Sequence, residues 1–261
     1  MKKILIIGIG AGDPRQVTVE AIEALNQVDV FFLLEKGAVK QDMVALRHEI
    51  LRRYIKDRSY RVVEAPSPPR ERAPADYLAS VDDLNRDKQA AFARMIDSEL
   101  GEGQCGGILA WGDPALYDST IRNVAAIAAR PEARLGARLD QAIDYAVIPG
   151  ISSVQTLAAR HRITLNRIGQ SIEITTGRRL KEGWPAHADS VVVMLDGEET
   201  YNRFADQEIE IFWGAYLGTP DEILITGRLR DVVAEINRTR RSARETHGWI
   251  MDTYLMRKIP G

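Results

Sequence analysis

The sequence predicts two α/β domains, the first built on a mostly parallel sheet and the second on a mixed sheet. Three observations carry this reading. Apolar runs short enough to be strands alternate with helical stretches over residues 1–164. Several of those runs end in glycine-bearing loops, the usual form of a parallel strand with its loop at the carboxyl end. After about Leu165 the strand-like runs crowd together with one convincing helix among them, which implies antiparallel pairing in a second domain over 165–261.

Each element has its own justification. Ile4-Leu5-Ile6-Ile7 is continuously apolar, so it reads as a strand buried on both faces. Thr18 is a candidate N-cap for a helix carrying Ile22, Leu25 and Val28. Residues 30–34 form a second strand, 41–54 a helix, and 60–63 a third strand. Residues 65–74 hold four prolines and three charges, an exposed excursion unsuited to a sheet. A long helix is expected over 76–100, a strand over 106–111, a helix over 120–130 and a strand over 145–148. Ser152 then caps a helix that ends near His161. In the second domain, strands are expected over 171–176, 190–195, 208–217, 222–227 and 247–256. Helix is expected over 229–239, with a short turn near 200–204. The alternation Glu208-Ile209-Glu210-Ile211-Phe212-Trp213 predicts a strand with one covered face. The four arginines within 238–244 read as a solvated helix end.

Composition excludes several classes. The 261 residues suffice for one large domain or two of ordinary size, and 45% apolar with 28% charged residues fits a soluble globular protein. The formal net charge is −2, whereas nucleic-acid binding favours a basic excess. A single cysteine, Cys105, rules out an internal disulfide and a cysteine-based metal centre, and the four histidines lack zinc spacing. No metal site and no nucleic-acid partner are expected. No apolar run approaches the ~20 residues of a membrane span. The run behind Met1-Lys2-Lys3 is cut by Gly8 and Gly10, too early for a signal peptide. The expectation is a cytoplasmic protein without a membrane partner.

Three loops could carry chemistry. Gly8-Ile9-Gly10-Ala11-Gly12-Asp13-Pro14 departs from the dinucleotide fingerprint: its third glycine comes one residue early, and Asp13 puts a carboxylate where a pyrophosphate would sit. The loop lets something approach the backbone, but that something is not a phosphate. Trp111-Gly112-Asp113-Pro114-Ala115-Leu116-Tyr117 ends another strand, and Pro149-Gly150-Ile151-Ser152-Ser153 a third. Singly, Ser152 and Ser153 read as helix caps. Together the loops predict a wall of main-chain amides and carbonyls, suited to an adenosine-type ligand without phosphate.

These loops, with Leu217-Gly218-Thr219-Pro220-Asp221-Glu222 leading into Gly227, resemble the tetrapyrrole methylase family in order and spacing across nearly the whole chain. Two positions depart from the family pattern: Ala11 stands where a proline is usual, and Trp111 where a glycine is usual. The resemblance implies two αβα domains of the class III methyltransferase type, a homodimer, and S-adenosyl-L-methionine folded into a cleft between the domains, leaving as S-adenosyl-L-homocysteine. It implies cofactor contacts from Trp111, Gly112, Asp113, Leu116, Ser152, Ser153, Met194 and Gly218. Phe31-Phe32-Leu33-Leu34-Glu35-Lys36-Gly37 and His247-Gly248-Trp249-Ile250-Met251-Asp252 are most similar to a cobalamin-pathway member that methylates ring carbon 1 of a precorrin and releases acetate. Glu35 and Tyr117 are then the candidates for water activation and oxyanion stabilisation. Arg122, Arg178, Arg179 and Lys181 are candidates to meet the carboxylates of a tetrapyrrole substrate. Three alternatives stand: a sister methylase of the same family, a class I methyltransferase with Glu35 on the ribose, and a binding protein without turnover.

Overall fold

The computed structural model describes residues 1–35, 41–69, 77–129 and 143–259, with side chains left undescribed at Glu35, Gln41, Asp42, Tyr77 and Leu78. The chain divides into two compact units, each with its own five-stranded sheet.

The first unit comprises Met1–Gly10 and Pro14–Ile151. Its strands are β1 (Lys2–Gly8), β2 (Val30–Glu35), β3 (Arg61–Pro66), β4 (Cys105–Ala110) and β5 (Ile143–Ile148), in the order β3-β2-β4-β1-β5 with every pair parallel. The apolar run of β1 serves both faces, as a doubly covered strand requires. Leu5 and Ile7 pack with Leu25 of α1 (Val19–Leu25) and with Ile50 and Leu51 of α2 (Gln41–Tyr54). Ile4 and Ile6 pack with Phe92 and Ile96 of α3 (Tyr77–Glu99) and Val124 of α4 (Thr120–Ala128). Among the described residues, two helices cover each face. Thr18 caps α1 as expected, its hydroxyl accepting from Ala21 N at 3.1 Å.

One sequence expectation fails here. Ala65 and Pro66 lie in β3 rather than in an excursion, with Pro66 in register with Glu35. The sheet order explains this: β3 is the edge strand, Pro66 is its last residue, and a missing N–H costs little there. Residues 70–74 lie outside the described residues.

The second unit comprises Ala11–Asp13 and Ser152–Gly261. Its strands are β6 (Ile172–Thr176), β7 (Ser190–Met194), β8 (Ile209–Ala215), β9 (Ile223–Arg228) and β10 (Asp252–Lys258), in the order β6-β7-β10-β8-β9. β6 and β7 run parallel and the other pairs antiparallel, the mixed sheet that the strand-rich half implied. Val191, Val193, Ile211, Trp213, Tyr254 and Met256 meet Leu229, Ile236 and Ala243 of α7 (Leu229–His247) on one face. The other face carries α5 (Ser153–His161), whose contacts run to β10, β8 and β9. α6 (Gly177–Leu180) is a single turn after β6.

Three corrections follow from this packing. The units part at Ile151/Ser152 rather than at 164/165, because α5 rides on the second sheet. β8 is covered on both faces, not one: Phe212 is buried against His161 of α5, with ring centroids 5.5 Å apart. α7 continues through 238–244 until Gly248, at φ 72°, ends it, so β10 begins only at Asp252. The arginine cluster therefore lies within the C-terminal half of α7, with Arg244 in its last turn. Arg238, Arg241 and Arg244 are exposed, but Arg240 is buried on the stripe of Ile236 and Ala243.

Candidate active site

In the first unit β4, β1 and β5 are neighbours, so their three glycine loops leave the same sheet edge side by side. The loops close upon one another. Gly112 N donates to Gly10 O at 2.8 Å, and Gly10 N to Gly112 O at 3.4 Å. A Cβ on Gly8 would stand 2.6 Å from Gly150 N, and one on Gly150 would overlap Gly112 O. This corrects the picture of an exposed main-chain wall. At Gly112 the amide and carbonyl are spent on Gly10, and the glycines serve first to let three backbones touch.

The β4 loop then turns outward. Asp113 accepts from Ala115 N at 2.7 Å, and Leu116 N donates to Asp113 O at 3.2 Å. Asp113 thus fixes the turn that presents Leu116 and Tyr117. Tyr117 is 45% exposed and sits at φ 52°. A bulky residue held in the left-handed region costs of order 1–3 kcal/mol, and such strain clusters at functional loops. Glu35 ends β2 on the same carboxyl edge, and its side chain lies outside the described residues.

In the second unit the start of α5 is a built N-terminus. Ser152 Oγ accepts from Val154 N at 3.1 Å, and Ser152 N donates to Gln155 Oε1 at 3.1 Å, completing a capping box. The cap reading of Ser152 is the geometry observed. Ser153 Oγ instead accepts from Thr253 Oγ1 at 2.9 Å. Thr253, in β10, stands opposite Met194 at the end of β7. Ser153, Thr253 and half-buried Met194 are therefore brought together. Thr253 was not legible in the sequence, since a threonine inside a β-rich run reads as ordinary strand composition. Leu195 follows Met194 at φ 55°, 66% exposed.

The remaining loop is cross-linked by charge. Gly218, at φ 81°, donates its N–H to Glu222 Oε2 at 2.7 Å. Glu222 also accepts from Arg160 Nε at 3.0 Å, and an Arg160 terminal nitrogen lies 3.9 Å from Asp13 Oδ2. A Cβ on Gly12 would stand 2.6 Å from Leu217 O. Asp13, the residue at odds with a phosphate site, is thus a partner of Arg160. His161 Nε2 donates to Trp213 O at 3.1 Å; burial lowers its pKa, against smaller opposing effects of that bond and of Glu222. Among the basic candidates, Arg179 pairs with Glu182 at 2.6 Å and Lys181 with Glu198, while Arg122 and Arg178 are exposed.

Fold and loops define a class: an enzyme of two α/β units, one all-parallel and one mixed, with glycine loops gathered at a strand-end edge. The comparisons resolve which one. The model of the tetrapyrrole (corrin/porphyrin) methylases matches residues 3–233. Precorrin-6A synthase [deacetylating] of Sinorhizobium sp is 49% identical over 258 residues, spanning 99% of this chain and 96% of that protein. The crystal structure of a cobalamin synthesis related protein (CobF) of Corynebacterium diphtheriae superposes with a TM-score of 0.81 at 33% identity, covering 100% of both chains. Uroporphyrin-III-C-methyltransferase of Thermus thermophilus shares the fold at a TM-score of 0.58 and 20% identity, over 98% of this chain and 91% of that one. The chain belongs to the tetrapyrrole methylase family. The class I methyltransferase alternative falls with that result.

S-adenosylmethionine carries a sulfonium and an adenosine but no phosphate, and the donor set agrees with such a group. The β1 turn offers a carboxylate, not a basic side chain, and that carboxylate is already partnered by Arg160. Met194 contributes a polarisable thioether at half-buried depth. Among the described residues no cluster of three or more His, Cys, Asp or Glu side chains could hold a metal ion.

Proposed function

We propose that the chain catalyses the precorrin-6A synthase (deacetylating) reaction of aerobic cobalamin biosynthesis: methylation of precorrin-5 at ring carbon 1 with loss of its acetyl group as acetate. The observation that carries the reading is the 49% identity to the Sinorhizobium enzyme, spread over 99% of the chain rather than confined to loops. When bound, S-adenosylmethionine supplies an electrophilic methyl group and is left as S-adenosylhomocysteine. Trp111, Gly112, Asp113 and Leu116 of the β4 loop would hold it, together with Ser152, Ser153, Met194 and Gly218 of the second unit.

An electron-rich ring carbon needs little proton transfer to accept a methyl group. The chain's task in that step is orientation and exclusion of water. Acetyl release asks more, because water must be deprotonated and a developing oxyanion must be met by a donor. Glu35 is proposed as the base and the Tyr117 hydroxyl as the donor. A cytoplasmic homodimer completes the proposal; among the described residues no helix is long and apolar enough to cross a membrane.

Mass spectrometry of the turnover product tests the assignment. Gain of one methyl with loss of the acetyl group supports it, and methyl gain alone moves the chain to a sister reaction. Glu35→Gln tests the base separately. The variant is expected to methylate at near the parental rate and to release acetate about a hundredfold more slowly; unchanged acetate release removes Glu35 from the mechanism.

A further inference from the structure

The turn that follows β7 is held in a shape its sequence does not favour. Leu195 has φ 55° and Glu199 φ 56°, and neither is a glycine or an asparagine, the residues that enter the left-handed region readily. The Leu195 side chain is largely exposed, so core packing does not account for its conformation. Such a backbone persists only where its surroundings over-determine it. Two anchors do so. On one side Met194 is locked into the sheet opposite Thr253. On the other stands Asp196, a carboxylate that is only 5% exposed.

The turn is folded around that carboxylate. Asp196 Oδ1 accepts from Glu198 N at 3.1 Å and from Thr200 Oγ1 at 2.9 Å. Its Oδ2 accepts from Thr200 N at 2.7 Å and from the Tyr254 hydroxyl at 2.7 Å. Its main-chain oxygen accepts from Arg240 at 2.6 Å. Gly177, just past β6, leaves the room this needs: a Cβ there would stand 2.3 Å from Asp196 Oδ1. Burying a carboxylate is unfavourable unless its oxygens are hydrogen-bonded, and here the bonds go to the turn itself and to β10 beside it. Leu195 is the single residue between a paired strand and a fixed carboxylate, so its φ is set from both sides.

We propose that Asp196 is a positioning residue for cofactor binding: it holds Leu195 in the left-handed region, so that the end of β7 is already shaped when the nucleoside arrives. The role rests on the function proposed above, under which Met194 meets the cofactor. Asp196 acts through the turn and is not itself a contact.

Calorimetry with S-adenosylhomocysteine on the full-length protein tests this. Each carboxylate oxygen meets one backbone N–H, so Asp196→Asn, of the same size, sets an amide NH2 against one of them in either orientation. The Kd is expected to rise about tenfold, equivalent to ~1.4 kcal/mol, because the nucleoside must then order the turn as it binds. In turnover the cofactor KM rises with it, while kcat at saturating cofactor and the tetrapyrrole KM stay near parental values. Glycine takes φ 55° without strain, so in a Leu195→Gly background the same substitution should weaken binding by less than about threefold. An equal loss in both backgrounds overturns the role. Ile225→Val, a core truncation in β9, controls for stability: it should lower the melting temperature and leave the Kd alone. A Kd shift there that matches Asp196→Asn also overturns the role. If Asp196→Asn does not fold, Tyr254→Phe replaces it. That variant removes one bond to the carboxylate and keeps both backbone contacts, so a loss of about threefold is expected, again removed by Leu195→Gly, and an unchanged Kd counts against the role. A parent that does not bind the nucleoside overturns the methyltransferase reading and this role with it. A parent that binds, with Asp196→Asn its equal, overturns this role alone.

Discussion

Gly8, Gly112 and Gly150 sit where three parallel strands end, and what limits them is each other's backbone. A methyl on Gly150 has nowhere to go, since its neighbours are main-chain atoms of Gly112 and Gly8 that cannot rotate aside. Gly150→Ala is therefore expected to destabilise the protein by about 2–4 kcal/mol, at or above the usual cost of overpacking. Gly197→Ala is the control: a Cβ there meets nothing within 4 Å, and its φ is not in the left-handed range. It should change stability by less than about 0.5 kcal/mol. Urea melts of both variants check the pair, and equal midpoints would refute the close-approach account. At this scale the sequence was legible for which residues matter and illegible for what they touch. The glycine loops stand out in the sequence, yet the Gly10–Gly112 bridge depends on β4 and β1 being neighbours. Asp13 was marked as hostile to phosphate, but its partner Arg160 lies too far along the chain for any local pattern to reveal it.

Among the elements, α7 departs furthest from expectation, and Arg240 is the reason. Burial alone would lower its pKa, but hydrogen-bonded Asp252 outweighs that and raises it above the usual value. Its Nε donates to Asp252 Oδ2 at 2.9 Å, one terminal nitrogen to Glu199 Oε1 at 3.1 Å and the other to Asp196 O at 2.6 Å. Asp252 also accepts from Trp213 Nε1 at 3.0 Å, and Tyr254 donates to Asp196 Oδ2 at 2.7 Å. One helix residue thereby ties β10 to the turn after Met194. Removing the guanidinium leaves Asp252 buried and without its charge partner, so Arg240→Met should cost about 3–5 kcal/mol. Arg241→Met, one residue on and exposed, should cost less than about 0.5 kcal/mol. Denaturant midpoints separate the two, and similar values would mean that the network contributes nothing. The helical period offered a clue that net charge hid: Leu229, Ile236, Arg240 and Ala243 follow one another at spacings of seven, four and three residues, which puts one arginine on the apolar stripe. β3 teaches the converse lesson. Four prolines in ten residues looked like a break, but position in the sheet overrides composition at an edge.

For the whole molecule, fold class was legible because doubly buried strands and an alternating helix–strand rhythm are local patterns repeated many times. Where the second unit begins was not legible, because the assignment of α5 rests on packing against strands that come later in the chain. The end of that helix also sets a pH dependence for the entire chain. His161 Nε2 donates to the Trp213 carbonyl, and burial holds its pKa below the ordinary 6.5. In the unfolded chain the ring takes up a proton near 6.5, whereas in the folded chain it resists until the pH is lower. Between those two values the unfolded state binds more protons, so stability is greatest above about pH 7 and falls as the pH drops toward the folded pKa. His161→Gln keeps a donor for Trp213 and removes the titration. Melting temperatures from pH 8 down to pH 5 are expected to fall less steeply in His161→Gln than in the parent, with the curves closest at the acid end and the parent's advantage, if any, confined to neutral pH. Parallel curves would show that His161 contributes nothing to the acid sensitivity of the fold, and a steeper fall in the variant would reverse the assigned direction of its shift.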